Sequence, residues 1–487
     1  MNNNLNVRRY VNVRRHVAAA LVAVAFILAG FRGGAQNASI AQVQGVTANC
    51  PPAPAGERPW TDARQTPVCR ALEALAAMTP EEKLAFRGAL PRLGLVNGGG
   101  SDGPQGIAGG GGRNGQPPPP RALGVTLFPS EHILAATWDR SLAKRYGEAL
   151  GEEVAGKGSN VMVSPTIVLM RGWHWGRAAE SFGEDPFLTA EMLVPELQQI
   201  QAHKIVSVLK HFVVDGQERF RPQVSAAVSE RALQEIYFPA WKAAVQRAGL
   251  GAVFCESNKV NGSNPCESAD LLGRLRAWGF DGFVRPEPGF DPVKAIAAGT
   301  DEIQAAAFQS AVQSGAVPAK KLDETVLHHL VPNFRLGIYD AAPAGKPENA
   351  VSTADHRKLA IEVGTAGTVL LRNKGNVLPL DAGRVKSIAV IGDDAGPNTL
   401  LQATNQPVYV ETFVSPLEGI TRRAGATMKV TYAKGTVGVV APLAAIGGGA
   451  ISPTGARGEG FAATFWASED WTGPPAGTRV DPTIDLS

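Results

Sequence analysis

Between residues 121 and 340, short apolar runs alternate with amphipathic helical patterns, and this alternation restricts the chain to few architectures. Asn160–Val163, Ile205–Leu209, Ala252–Cys255 and Gly282–Val284 read as strands. Between two of them, Leu233, Ile236, Tyr237, Trp241, Ala244 and Val245 recur at helical spacing within Ser229–Arg247, with Ser229 as the N-cap. Strands alternating with helices predict an α/β fold, either a (β/α) barrel or a doubly wound sheet. No G-x-G-x-x-G opens a nucleotide-binding unit and no G-x-x-x-x-G-K-[ST] occurs, which favours the barrel.

The chain has 487 residues, 44% hydrophobic and 19% charged, which reads as globular with more than one domain. Its net charge is +3, and Arg8, Arg9, Arg14 and Arg15 all lie at the extreme N-terminus. The remainder is near neutral and carries no electrostatic footprint for nucleic acid. Those arginines precede an apolar run from Val17 to Phe31 and the small residues Gly33, Gly34 and Ala35. Residues 1–35 therefore read as a signal peptide, predicting a periplasmic or extracellular protein that leaves the membrane after cleavage. The other reading is a retained anchor, but the run is shorter than the ~20 residues that span a bilayer. Of the four cysteines, Cys50 lies near Cys69 and Cys255 near Cys266, and two local disulfides would fit export. Neither pair has zinc-finger spacing and no H-E-x-x-H occurs, so no metal and no other cofactor is expected.

Residues 36–58 read as a linker, and Thr66–Leu84 as helical, with Pro80 near a helix N-terminus. Residues 94–120 form a long glycine- and proline-rich loop interrupted by S-D-G-P. A connector at 341–352 leads to a second α/β region: helix His356–Ala366, strand Thr368–Leu371, a turn at Lys374-Gly375-Asn376, and strand Ser387–Ile391. After Val440 the chain turns to glycine, alanine and proline, and a new β-like run begins at Gly460.

Four polar clusters sit in a long loop or at strand ends, the edge on which barrel active sites form. They are Asp102 in S-D-G-P, Arg177 in W-G-R-A-A-E-S-F-G-E-D-P, the pair Lys210-His211, and Glu287 in F-V-R-P-E-P-G. On its own, Asp102 could cap a turn, Arg177 could pair with Glu180, Glu184 or Asp185, and Lys210-His211 could form a buried ion pair. His174, between Trp173 and Trp175, reads as loop packing.

The segments S-D-G-P-Q-G, L-F-P-S, A-A-T-W-D, G-R-A-A-E-S-F-G-E-D-P, K-H-F, S-E-R-A-L-Q-E-I-Y and C-E-S-N-K-V-N-G, in this order, resemble those of family 3 glycoside hydrolases. T-V-L-L-R-N-K-G-N-V-L-P-L and I-A-V-I-G-D resemble the same family's α/β sandwich domain, and the last thirty or so residues resemble the opening of an inserted carbohydrate-binding β-domain of protective-antigen type. The resemblance implies a (β/α)8-type barrel over residues 59–340, a partial α/β sandwich over 353–445, and the beginning of the β-domain over 458–487. It also implies a carbohydrate substrate and release of β-D-glucose from β-glucosides by a retaining mechanism. Asp102, Arg177, Lys210 and His211 would hold the sugar's hydroxyls, as charged groups make the strongest and most directional hydrogen bonds.

Retention needs two carboxylates. Glu287 stands where the family places its nucleophilic aspartate, Ser257 where it often has a tyrosine, and Pro288 where it often has a tryptophan. Asp291 is nearby but out of register, and Asp281 matches a non-catalytic position of the family's pattern. The resemblance puts the acid/base glutamate beyond the β-domain insertion, so the expectation is a chain that lacks it and has little or no glucosidase activity. K-H-F-V-V-D-G lacks the second histidine of the branch that uses a histidine–aspartate dyad instead. The alternative function is a degenerate sugar-binding protein that keeps the contacts and has lost the chemistry.

Overall fold

The structure, a computed structural model, describes residues 50–53, 56–108, 119–172, 175–381, 383–396, 413–435, 461–467 and 472–481. The expected signal segment, most of the linker and His174 lie outside these residues. The chain divides into two compact units, residues 1–372 with 401–412, and residues 373–400 with 413–487.

Seven strands are described in the first unit: β1 (Gly100–Asp102), β2 (Val161–Val163), β3 (Val206–Phe212), β4 (Ser225–Ala226), β5 (Ala252–Cys255), β6 (Lys259–Val260) and β7 (Phe283–Pro286). Five of them pair in the order β1-β2-β3-β5-β7, all parallel, while β4 and β6 pair with each other. The order follows the chain without a reversal, and a doubly wound sheet needs one. V-S-V-L-K-H-F of β3 is buried along its whole length, as parallel strands covered on both faces are.

Helices Arg140–Gly156, Pro186–Ala202 and Phe238–Ala248 pack side by side. Their ends are set locally. Asp139 accepts from Ser141 N at 2.7 Å and Asp185 from Leu188 N at 2.6 Å, satisfying N–H groups that a first turn leaves unpaired. Gly249 closes the third helix in the left-handed region, at φ 60°. The third helix also buries Phe238 and Trp241, and Phe212 at the end of β3 meets Trp241 edge-on at 5.0 Å. Each such side chain contributes about 1.5–3 kcal/mol by leaving water.

Several expectations are corrected here. The helical pattern over Thr66–Leu84 is two helices, Pro67–Ala76 and Pro80–Ala85, because Thr79 caps the second one reciprocally with Glu82. The pattern over Ser229–Arg247 starts at the Ser229 cap but loosens into a π turn at Leu233–Tyr237. Helix Ala354–Ala366, expected in the second region, belongs to the first unit. There Arg145 pairs with Glu362 at 2.7 Å, and His356 lies 2.9 Å from both Glu153 Oε1 and Glu152 Oε2. Thr368–Leu371 is not a strand among the described residues. Its apolar side chains are exposed, Leu371 at 93%, and without a neighbour to pair with an apolar run has no ladder to join. Both expected disulfides are present, Cys50–Cys69 and Cys255–Cys266.

In the second unit, β8 (Ser387–Ile391) and β9 (Lys429–Ala433) pair in parallel, with helix Pro416–Ala424 on the connection between them. Gly375 and Asn376 turn the chain at φ 70° and 51°. β10 (Phe461–Phe465) and β11 (Gly477–Asp481) form an antiparallel pair. No described helix is long and apolar enough to cross a membrane.

Candidate active site

Asp102, Arg177, Lys210, His211 and Glu287 all line one cavity of about 690 Å³ in the first unit. They come from different segments, and the sheet brings them together because parallel strands end on one edge.

Asp102 is the last residue of β1, a strand hidden from sequence reading by its glycines. The S-D-G-P-Q-G turn that follows is held backbone to backbone. Gly103 has φ 128°, and a Cβ there would lie 2.0 Å from the Gly106 carbonyl oxygen, so only glycine fits. Tyr146 reaches the same segment, its hydroxyl 3.1 Å from the Pro104 carbonyl. Thus anchored, Asp102 Oδ1 accepts from Lys210 Nζ at 2.7 Å.

Lys210 and His211 are consecutive, and a regular strand would send them to opposite faces. The pairing of β3 with β5 is irregular here: Lys210 faces Phe254, Phe212 faces Cys255, and His211 is left over. A bulge of this kind re-aims a side chain, and both residues reach the cavity. Arg177 answers the choice left open by its sequence. It pairs with Glu180 through Nη2 at 2.8 Å and Nε at 3.2 Å, not with Glu184 or Asp185. Its remaining nitrogen, Nη1, lies 3.3 Å from His211 Nε2. Burial is the largest single influence on Arg177 and opposes its charge, but the hydrogen bonds and the charge of Glu180, with the charges of Glu218 and Asp215, together outweigh it and keep the pKa raised. His211 is driven well below its ordinary value by burial, then by Arg177, Lys210 and Arg221, and is neutral.

Glu287 follows β7, its N–H donating to the Cys255 carbonyl at 3.0 Å. Its Oε1 lies 3.6 Å from His211 Nε2. Burial and then Glu256 raise the Glu287 pKa, while Arg221 and Arg177 pull against them. Asp281 and Asp291 are engaged elsewhere, Asp281 with Arg335 at 2.9 Å and Asp291 as the cap of helix Pro292–Ala298.

Sequence reading missed three residues around Glu287. Arg221, on the loop after β3, touches both Glu287 and Glu256. Glu256 follows β5 and is fully buried. Glu218 accepts from Trp175 Nε1 at 2.9 Å and lies 3.5 Å from Arg221. The cavity continues past Arg285 and Glu302, which pair at 3.1 Å. The paired positions are 35 and 66 residues apart along the chain for Arg221 with Glu256 and with Glu287, so no local spacing reveals them.

Among the described residues one group has metal-ligand spacing: His211, Asp215 and Glu256, all buried. The ring tautomer argues against it. Arg177 Nη1 can only donate, so His211 Nε2 accepts and the ring proton sits on Nδ1, the nitrogen facing Asp215 at 3.8 Å. A protonated nitrogen does not ligate. Burial and then Glu256 push Asp215 up to about 8, so a proton there meets the need for positive charge.

Comparison with known proteins gives the family. Residues 120–326 match the glycosyl hydrolase family 3 N terminal domain, and residues 368–471 match the glycosyl hydrolase family 3 C-terminal domain. The chain belongs to glycosyl hydrolase family 3. A β-glucosidase of Rhizobium radiobacter is 33% identical over 367 residues, covering 72% of this chain and 44% of that protein. β-Glucosidase BoGH3A of Bacteroides ovatus is 30% identical, covering 77% of this chain and 56% of that protein. The family 3 chain described here thus spans about half the length of the curated relatives it matches. Among solved structures, the β-glucosidase DesR of Streptomyces venezuelae in complex with D-glucose aligns with a TM-score of 0.67 at 30% identity, over 74% of this chain and 50% of that one. β-Glucosidase 3B of Thermotoga neapolitana in complex with α-D-glucose aligns with a TM-score of 0.64 at 30% identity, over 74% and 55%.

Proposed function

We propose that this protein is a β-glucosidase-type glycoside hydrolase that cleaves β-glucosides with retention, Glu287 being the nucleophile. The observation that carries the reading is the convergence of Asp102, Arg177, Lys210, His211 and Glu287 on one cavity. Family relatives named β-glucosidases and structural neighbours holding glucose support it. Asp102, Lys210, Arg177 and neutral His211 hold the sugar's hydroxyls. A Glu287 oxygen attacks the anomeric carbon, a carbon–oxygen bond forms to the enzyme, and the bond to the leaving oxygen breaks as that oxygen takes a proton or departs as a stabilised anion. Water then attacks the same carbon, gives up a proton, and releases glucose and the Glu287 carboxylate.

The experiment uses a substrate whose leaving group needs no proton. A dinitrophenyl 2-deoxy-2-fluoro-β-D-glucoside should leave a covalent sugar on the peptide that contains Glu287, detected by mass spectrometry, and Glu287→Gln should carry none. Glucose binding with no adduct anywhere would instead favour a sugar-binding protein without turnover.

We further read the sheet as part of a (β/α)8-type barrel over residues 59–340, supported by its unreversed strand order. Of the α/β sandwich expected over residues 353–445, the part from residue 373 onward keeps that reading, supported by the parallel pair β8 and β9, and residues 458–487 read as the opening of a β-domain, supported by the β10–β11 pair. Residues 1–35 read as an export signal, to which the two disulfides lend support.

A further inference from the structure

The contacts around Glu287 fall unevenly on its two oxygens. Arg221 Nη2 meets Oε2, and Ser257 Oγ lies 3.5 Å from the same atom. Oε1 has no hydrogen bond among the described residues, and His211 Nε2 at 3.6 Å is beyond hydrogen-bond length. What holds Arg221 in place is equally specific. Its Nε donates to Glu256 Oε1 at 3.0 Å, and that oxygen also accepts from the Ser257 N–H at 2.7 Å and the Ser257 hydroxyl at 2.9 Å. Glu256 is fully buried, and these donors satisfy that oxygen away from water.

We propose that Arg221, Glu256 and Ser257 form a cradle that takes one oxygen of Glu287 and leaves Oε1 as the attacking atom, so that this site is built for a glutamate. The attacking-atom half rests on the reading of Glu287 as nucleophile; the cradle does not. Arg221 acts through Glu287 and is a positioning residue. A nucleophile must be both ionised and aimed, and one guanidinium does both here. Without it, two carboxylates face each other in a buried site, and one of them takes a proton. A carboxylate one methylene shorter withdraws by about 1.5 Å and leaves the guanidinium behind. A misplacement of ~1 Å costs on the order of a hundredfold in rate.

Two measurements on the full chain test this. The first needs no turnover: the chain is labelled with 13C-carboxyl glutamate, and the Glu287 signal, identified by its loss in Glu287→Gln, is titrated by NMR. Arg221→Gln should move the Glu287 midpoint up by about one pH unit or more, with Arg221→Lys restoring part of it. Should Arg221→Gln fail to fold, Glu256→Gln decides, because it frees Arg221 for Glu287 and should move the midpoint down. A Glu287 midpoint that stays put in every folded variant overturns the cradle.

The second measurement is the trapping rate with the dinitrophenyl fluoroglucoside. Arg221→Gln and Glu287→Asp should each label roughly a hundredfold more slowly than the parent while binding glucose within about twofold of it, and Arg221→Lys should fall between. Labelling of Glu287→Asp at the parental rate overturns the claim that the site is built for glutamate. Absence of any adduct on Glu287 in the parent removes the nucleophile and with it the attacking-atom half, and the titration still decides the cradle.

Discussion

Lys210 Nζ and Asp102 Oδ1 lie 2.7 Å apart, an ion pair that reaches past β2 to join the ends of β1 and β3. Lys210 is almost wholly buried and the Asp102 side chain is 35% exposed, so the carboxylate is the more accessible half of a pair whose two members both line the cavity. A sugar hydroxyl meeting Asp102 meets an acceptor already aimed. Lys210→Met should weaken glucose binding by tenfold or more, since a hydrogen bond to a charged group is worth about 1.5–3 kcal/mol. Isothermal titration calorimetry reads this directly, and an unchanged dissociation constant would remove the pair from the sugar site.

The S-D-G-P turn makes a second, independent claim on Asp102. Gly103→Ala forces a Cβ against the Gly106 carbonyl and a left-handed φ on alanine. Glucose affinity and stability should fall together, the latter by more than about 1 kcal/mol in urea unfolding. Affinity lost with stability intact, or the reverse, would show that the turn does not set the position of Asp102.

His356 links stability to pH. The hydrogen bond to Glu153 raises its pKa, burial opposes this, and the hydrogen bond to Glu152 adds to the rise. The folded protein therefore holds this proton more tightly than the unfolded chain does. The stabilisation is complete below the unfolded value of about 6.5 and is lost as pH rises through the higher folded value. Urea unfolding of the parent at about pH 6 and about pH 9 should show a decline across that range that His356→Asn reduces. Equal declines in the two proteins would refute the linkage.

Asp215 works in the opposite direction to the usual carboxylate. Both its oxygens are buried without a hydrogen bond, and it faces His211 and Glu256. Burial and Glu256 push it up to about 8, against about 3.9 in an unfolded chain. The native state binds the extra proton, so its stability declines as pH rises between those values and levels off above about 8. Asp215→Asn carries no such proton. It should gain stability relative to the parent from about pH 4 to about pH 8, measured as the difference in urea midpoints. A difference that does not change with pH would place Asp215 among ordinary ionised carboxylates.

Much of the sheet was legible because β2, β3, β5 and β7 are compact apolar runs separated by helical patterns, and the structure moves their ends only slightly. β1 was not, since Gly-Ser-Asp has no apolar run and its place comes from pairing with Val161–Val163. Thr368–Leu371 fails in the other direction: it has the composition of a strand but no described partner. At the site, Asp102, Arg177, Lys210, His211 and Glu287 stood out because each lies in a motif or at a strand end. The ability of Lys210 and His211 to share one face was not legible, because it depends on a register slip against β5. Arg221 and Glu256 look like ordinary surface charges in the chain, and only folding shows that one guanidinium serves two carboxylates.

The parallel sheet also bears on how such a chain can diverge. Strands β2, β3, β5 and β7 are mostly apolar at their starts, and the polar groups of the cavity come towards or just beyond their ends. A replacement at residue 287 or 257 therefore alters no strand–helix contact, and a replacement within Val206–Leu209 alters no hydrogen bond to a sugar. Chemistry and architecture are written in different stretches of the same strands. A lineage can then try a longer carboxylate while the scaffold stays folded, and relatives can share only about a third of their residues yet keep a similar fold.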